Sequence, residues 1–328
     1  MAPLKVLIFA AVLTATGSAL TVPPAAAETK KLVFLTGPTE DRFIGAFSKR
    51  FLEKASAAGL QVTQFTSPFD PALQAQQLDD AIGQKPSMIV LQPLSSGAVL
   101  PALARAKTAG IPVFVVISQV DNGGQLVTGT MANDEARSGT LAAEAIIQGL
   151  KAGHKTSAKV AAITGTAAEG IAPKRMAAFT KRLAAEAWIK LVQVEDAHWM
   201  PPAAEQIAGQ LFARYAAEGG LDAIYGMNDG MANAIIQAAD SAGVELGTGA
   251  GQLLVVGGGC NTSGIGNVRA NKEYATLSAP RPVDDAATSV ALISDYLAGR
   301  PIPALTVTTP LEIITPDNLA QFTEACSF

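Results

Sequence analysis

The feature that most restricts this chain's fold is a series of short apolar runs, each followed by a stretch of helical length. Leu32 to Thr36, Met88 to Leu91 and Val113 to Ile117 are apolar at nearly every position, and Val62 to Phe65 is apolar at its two ends. Such runs suit parallel strands that helices cover on both faces. Between them apolar residues recur at helical spacing, as at Phe43, Phe47 and Phe51 and at Val99 and Leu103. The helices stop where Gly59, Gly110 and Gly243 each follow an alanine, because glycine supplies the left-handed residue that ends a helix. A second series follows at Val160 to Thr164, Leu191 to Val194, Ala223 to Tyr225 and Leu253 to Val256, with helices expected over 173–187, 203–218, 229–242 and 283–298. Strand, helix, strand at roughly thirty residues per unit is the βαβ pattern, so the fold class is α/β, with two doubly wound parallel-sheet lobes. A helix expected from Asp134 to Leu150 leaves no room for a floppy tether between the two series.

The first residues carry an address. Lys5 precedes a mostly apolar stretch from Val6 to Leu20, and Ala25-Ala26-Ala27 follows Pro23 and Pro24. A basic start, an apolar core and a small-residue site form a secretory signal peptide, with cleavage expected after Ala27. The alternative, a membrane anchor, is disfavoured because Thr14, Thr16, Gly17 and Ser18 interrupt a run shorter than the ~20 residues a span needs. No cysteine near the cleavage site could take a lipid, so the mature chain is expected to diffuse freely in the periplasm. Cys260 and Cys326 are the only thiols. In an oxidising compartment they can pair; the alternative is two buried free thiols, and export favours the disulfide.

Several chemistries are excluded or weakened. The net charge of −4 and the lack of a long Lys/Arg run argue against nucleic acid and anionic membrane as partners. No phosphate loop occurs, and Thr36-Gly37-Pro38-Thr39-Glu40 lacks the dinucleotide fingerprint and adds a carboxylate. Gly257-Gly258-Gly259 follows a strand but leads into Cys260 and Asn261, which suits a close approach of backbone to a ligand or to the other lobe. His154 lies in a polar stretch, and His198 stands in a strand-end loop without a partner at metal spacing. Ser95 and Ser118 lack a nucleophile-elbow context. No metal, no cofactor and no catalytic constellation is expected.

Ligands of doubly wound sheets sit at the carboxyl ends of the strands. Those loops hold Asp41, Gln92, Gln119, Asn133, Glu135 and Asn228, with the flat faces of Phe43 and Trp199. Planar donors and acceptors for vicinal hydroxyls, with a surface for a C–H face, suit a neutral polyhydroxylated ligand. Phe43 also reads as part of the core stripe with Phe47 and Phe51, and Asn228 also reads as a helix cap.

Ala109-Gly110-Ile111-Pro112-Val113, Ala132-Asn133-Asp134, Gly226-Met227-Asn228-Asp229-Gly230-Met231 and Val255-Val256-Gly257-Gly258 occur in an order and spacing that resembles type I periplasmic substrate-binding proteins of the ribose-binding kind. The resemblance covers essentially the whole mature chain. It implies two lobes with three crossings, at residues 28–132 with 280–304 and 133–279 with 305–328, and a ligand trapped by hinge closure. It further implies a monomeric receptor, not an enzyme, that serves an ABC permease in the inner membrane. A periplasmic sensor for chemotaxis or a sensor kinase, with the same fold, is the alternative. Carried over by position, Asp41 and Phe43, Ser118 and Gln119, Asn133 and Glu135, Trp199 and Asn228 fall on the ligand-binding loops. The chain departs from the pattern at Ile117-Ser118, where Asp-Arg is usual, at Gly259, where an acidic residue is usual, and around Ala279-Pro280, where a glutamine is usual. These departures suggest a sugar alcohol or an unusual small polyol.

Overall fold

The computed structural model describes residues 29–167, 170–277, 281–307 and 311–328. The expected signal peptide and the pair Ala279-Pro280 therefore lie outside the described residues. The first lobe alternates β1 (Lys31–Thr36), α1 (Arg42–Ala57), β2 (Gln61–Thr66), α2 (Pro71–Gly83), β3 (Met88–Leu91), α3 (Ser96–Thr108) and β4 (Val113–Ile117), then adds β5 (Gly129–Ala132). The second holds α4 (Glu135–Ala152), β6 (Ala158–Thr164), α5 (Ile171–Leu183), β7 (Ile189–Asp196), α6 (Pro201–Tyr215), β8 (Ala223–Gly226), α7 (Asp229–Ala242), β9 (Leu254–Val256), α8 (Thr262–Arg269) and β10 (Thr276–Leu277). The chain then returns through α9 (Pro282–Leu297) and β11 (Leu305–Val307), and ends beyond β12 (Ile313–Ile314).

Strand order in the first sheet is β11-β5-β4-β3-β1-β2, and in the second β7-β6-β8-β9; every pairing within both is parallel. The apolar runs of the inner strands are buried as their composition requires, whereas the edge strands β2 and β7 are largely open, with Phe65 37% and Val194 44% exposed. In the first lobe Phe34 meets Phe47 and Phe51 on the α1/α9 face, while Val33 and Leu35 pack with Leu78, Val99 and Leu103 on the α2/α3 face. In the second, Val160, Ala162 and Ile163 lie under α4 to α7 in one continuous core. β10 and β12 form a small antiparallel pair beside it.

One boundary differs from expectation. A change of lobe was expected after Ala304, yet Leu305, Thr306 and Val307 pair in register with Thr130, Met131 and Ala132 of β5. These residues extend the first sheet by an edge strand, and the crossing comes after them. β5 itself carries too little β-branched character (Gly-Thr-Met-Ala) to be read as a strand from sequence.

Six helices begin on a polar cap at the end of the strand or loop before them. Asp41, Asp70, Ser95, Asp134, Asn228 and Asn261 each accept a backbone N–H of the first turn, which fixes where the helix starts. Asp41, Asn228 and their neighbours thus stand at the carboxyl edges of the sheets. Cys260 and Cys326 form a disulfide with Cα atoms 4.9 Å apart, tying the last residues to the loop after β9.

The approach of α4 to α5 depends on a residue without a side chain. A Cβ on Gly139 would meet the carbonyl oxygen of Arg175 far inside contact distance. Gly139→Ala is therefore expected to destabilise the protein by about 1–3 kcal/mol, the usual cost of overpacking, as measured by urea unfolding. An unchanged midpoint would show that the helices can separate freely there.

Candidate functional site

A cavity of about 100 Å³ lies between the two sets of strand ends. Asp41, Phe43, Gln92, Asn133, Glu135, Trp199 and Asn228, all singled out from sequence, line it together. Ser118 and Gln119 do not. They border an adjoining hollow behind Asn133 and Glu135, next to Lys174. The buried Ser118 hydroxyl donates to the Pro93 carbonyl at 3.2 Å, a structural bond of the first lobe. Phe43 serves both of its readings, since it packs against the Phe47/Phe51 cluster and lines the cavity.

The charged residue that sequence reading missed is Arg175; the apolar Ile44, Phe69 and Ile171 also line the cavity. On an amphipathic helix an arginine reads as solvent-facing, but here it is nearly buried, with its guanidinium in the cavity wall. Its Nε donates to Glu135 Oε2, and its Nη1 donates to the Met227 carbonyl at 3.1 Å. Burial opposes its charge, yet Glu135 and Tyr225 outweigh that and hold its pKa above the ordinary value. Its carbon Cζ lies 5.7 Å from the Trp199 ring centroid, in cation–π range. The second carboxylate oxygen, Glu135 Oε1, is buried and accepts no hydrogen bond within the described protein.

The other polar groups are half used. Gln92 Oε1 accepts from the Thr36 hydroxyl at 2.6 Å and the Gly37 N–H at 3.0 Å, which leaves its amide N–H groups for a ligand. Asn228 Oδ1 caps α7 by accepting from Met231 N–H at 2.7 Å, so its amide is likewise the available end. Asn133 Nδ2 donates to the Ile117 carbonyl at 3.4 Å. Asp41 Oδ1 accepts from Ile44 N–H, and burial raises its pKa against that bond.

Backbone strain concentrates on this wall. Ile117, β-branched, has φ +69°, and Ser118 N–H donates to the Val116 carbonyl at 2.7 Å across it. That is a γ-turn of the rarer, strained hand, and it delivers an apolar side chain to the cavity while turning Ser118 aside. His198 and Trp199 are both left-handed, at φ +52° and +63°. Asp196 supports that loop by accepting N–H bonds from His198 and Ala167. The Trp199 ring lies directly against Gly165, where any Cβ would overlap it. The His198 side chain is exposed, 3.3 Å from Asp196, and it does not line the cavity.

The floor is the Gly257–Asn261 loop. Asp229, fully buried, holds it by accepting Asn261 N–H at 2.8 Å and the Thr276 hydroxyl at 2.5 Å, while its own N–H donates to Gly258 O at 2.7 Å. A Cβ at Gly257 would strike Glu273 Oε1 and crowd Asp229 Oδ1, so this glycine is needed for close approach. Burial pushes Asp229 up to about 6; burial and the neighbouring Asp229 raise Glu273 further.

Comparison with known proteins gives one coherent result. Residues 32–301 match the sequence profile of the periplasmic binding protein domain. The chain is 24% identical to a ribose import binding protein of Bacillus subtilis over 276 residues, 83% of each chain. It is 25% identical to that of Haemophilus influenzae over 252 residues, covering 77% of this chain and 80% of the relative. Among solved structures, a galactofuranose binding protein superposes with a TM-score of 0.83 at 18% identity, covering 90% of this chain and 98% of the other. The Caulobacter myo-inositol binding protein does so at 0.82 and 19% identity, covering 92% and 98%.

Two outcomes are expected from the charges. Arg175→Ala strands Glu135 as a buried, unpaired carboxylate and should cost about 3–5 kcal/mol in urea unfolding, with part recovered in the Arg175→Ala/Glu135→Ala double variant. A single variant as stable as wild type would show that the pair is not buried. Asp229 holds its proton more tightly when folded, at about 6 against 3.8 for an ordinary aspartate. Its contribution to stability is therefore complete below about pH 4 and lost as pH rises through about 6, by ~3 kcal/mol at ~1.4 kcal/mol per unit. Glu273 and Asp285, the latter pushed up to about 7 chiefly by burial, act in the same direction. Urea midpoints should fall between about pH 4.5 and 7.5; a flat or rising series would contradict the burial of these carboxyls.

Proposed function

The chain belongs to the periplasmic binding protein family, of the type I, ribose-binding-like kind, and on that premise we propose that it is the solute-binding receptor of an ABC importer whose ligand is a small neutral sugar or sugar alcohol. Glu135 carries this reading: it lines a cavity that also offers the amides of Gln92 and Asn228, and its Oε1 is a buried acceptor without a partner among the described residues. A ligand hydroxyl that donates to Glu135 and accepts from an amide would satisfy groups that otherwise stay unmatched. Arg175 is neutralised by Glu135, which favours an uncharged ligand over an anion. Phe43 and Trp199 supply apolar faces from opposite lobes. The solved relatives that superpose on this chain are described with galactofuranose, myo-inositol and L-arabinofuranose, all neutral polyhydroxylated rings.

Because the contacts come from both lobes, ligand favours the closed arrangement by the free energy of contacts that exist only there. Lys174 of the second lobe already meets Asp121 of the first at 2.6 Å, an exposed pair worth little on its own. The receptor is read as a monomeric carrier without catalysis, a cofactor or nucleic acid as partner, exported with cleavage after Ala27 and delivering to an inner-membrane permease. The apolar Ile117 at the usual site of a charged pair favours a sugar alcohol or an unusual polyol over common pyranoses.

A thermal-shift panel of sugars, cyclitols and linear polyols tests the ligand class; stabilisation by common pyranoses alone would remove the sugar-alcohol preference. Trp199→Ala and Asn228→Ser, the latter keeping a helix cap, should each weaken the best ligand about tenfold or more by calorimetry while melting near wild type. Unchanged affinity in both would overturn the assignment of this cavity.

A further inference from the structure

The inner cavity opens, past Phe43, Phe69 and Trp199, into a second hollow of about 460 Å³ that shares these walls with it. The inner cavity alone is smaller than the roughly 300–1,000 Å³ typical of small-molecule sites, whereas the two together fall within that range. The chemistry of the outer hollow is different. Pro38, Pro68, Met200 and Pro201 give it apolar walls, and the Phe328 ring stands edge-on to Phe43 with centroids 6.5 Å apart.

Several of its polar groups are already occupied. Asn261 Oδ1 accepts from the N–H groups of Ser263 and Gly264 and from the Ser263 hydroxyl. Asp229 is bound to Asn261 and Thr276, and Asn228 Oδ1 to Met231. Glu40 and Arg42 stand on the exposed rim. Apart from Asp41 and the Asn228 amide, which it shares with the inner cavity, and the exposed rim, this wall offers a second sugar ring few free polar groups, whereas a flat apolar group needs none.

The aromatic walls are also fixed in place. Phe69 and Trp199 both hold left-handed backbone, at φ +49° and +63°, which non-glycine residues adopt only when their surroundings enforce it. Thr262 donates its N–H at 3.1 Å and its hydroxyl at 2.8 Å to the Phe328 carbonyl, and the Cys260–Cys326 disulfide anchors the same segment two residues earlier. Met200, 48% exposed, adds an accessible apolar side chain to the same wall.

We infer that the ligand's hydroxylated head sits in the inner cavity and carries an O-linked, planar apolar substituent in the outer one, so that the protein binds an aryl glycoside, or an aryl ether of a polyol, in preference to the free head group. This rests on the reading of the inner cavity as a sugar or polyol site.

Calorimetry tests it with free monosaccharides and cyclitols, their 4-nitrophenyl α- and β-glycosides, and the matching disaccharides, on wild type, Phe328→Ala and Met200→Ser. At least one aryl glycoside should bind tenfold or more tightly than its free sugar. Both variants should erase most of that gain and leave the free sugar within about twofold. The inference is overturned if free sugars match or exceed all their glycosides, if disaccharides gain as much as aryl glycosides, or if the variants weaken free and substituted sugars alike. A free sugar that binds while its glycosides do not removes only this inference; if neither binds, the reading of the inner cavity falls as well.

Discussion

The buried pair of Arg175 and Glu135 is the contact on which the cleft depends. Glu135 opens α4 directly after the chain crosses from the first lobe, and Arg175 comes from α5. Their bond joins those helices at the point where Gly139 lets them touch, and Arg175 reaches on to the end of β8 through the Met227 carbonyl. The same guanidinium lies over Trp199. One ion pair thus sets the positions of a hinge residue, a strand end and an aromatic wall. A buried pair of this kind is weak evidence for stability, because desolvation offsets most of the attraction. Its value here is placement: it holds the Glu135 carboxylate in the cavity wall, with Oε1 buried and without a partner among the described residues.

The remaining walls are built by strain rather than by charge. Ile117, Trp199, Phe69 and Cys260 all hold positive φ in loops that line or support the two hollows. Two of them have clear supports: Asp196 lies under the Trp199 loop, and Asp229 and the disulfide hold the loop at Cys260. Rigid walls of this type favour one ligand shape, since little conformational freedom is left to lose when the ligand arrives.

Much of this was legible in the amino-acid sequence, for definite reasons. Strands buried on both faces must be apolar throughout, so Leu32–Thr36 or Val113–Ile117 could be read directly. Caps such as Asp41 and Asn228 stand where a strand must hand over to a helix, which is also where ligands bind. That rule points to Asp41, Phe43, Gln92, Trp199 and Asn228, while Asn133 and Glu135, after the unreadable β5, rest on the resemblance at the crossing. What escaped depends on tertiary context. Arg175 reads as a surface residue because nothing local shows that Gly139 and Glu135 will bury it. Ser118 was expected to face the ligand, but the turn at Ile117 rotates it towards Pro93. β5, α8 and the pair β10 and β12 are too short or too glycine-rich to announce themselves, and β11 joins the first sheet only through β5.

On the proposed reading, one ligand is held by both lobes at once. Hydrogen exchange of the whole chain, with and without the sugar or polyol that most raises its melting temperature, tests this directly. Added protection is expected on both sides of the cleft: around Gly37 to Ile44 in the first lobe, and around Trp199, Asn228 and Gly257 to Asn261 in the second. Protection confined to a single lobe would contradict it.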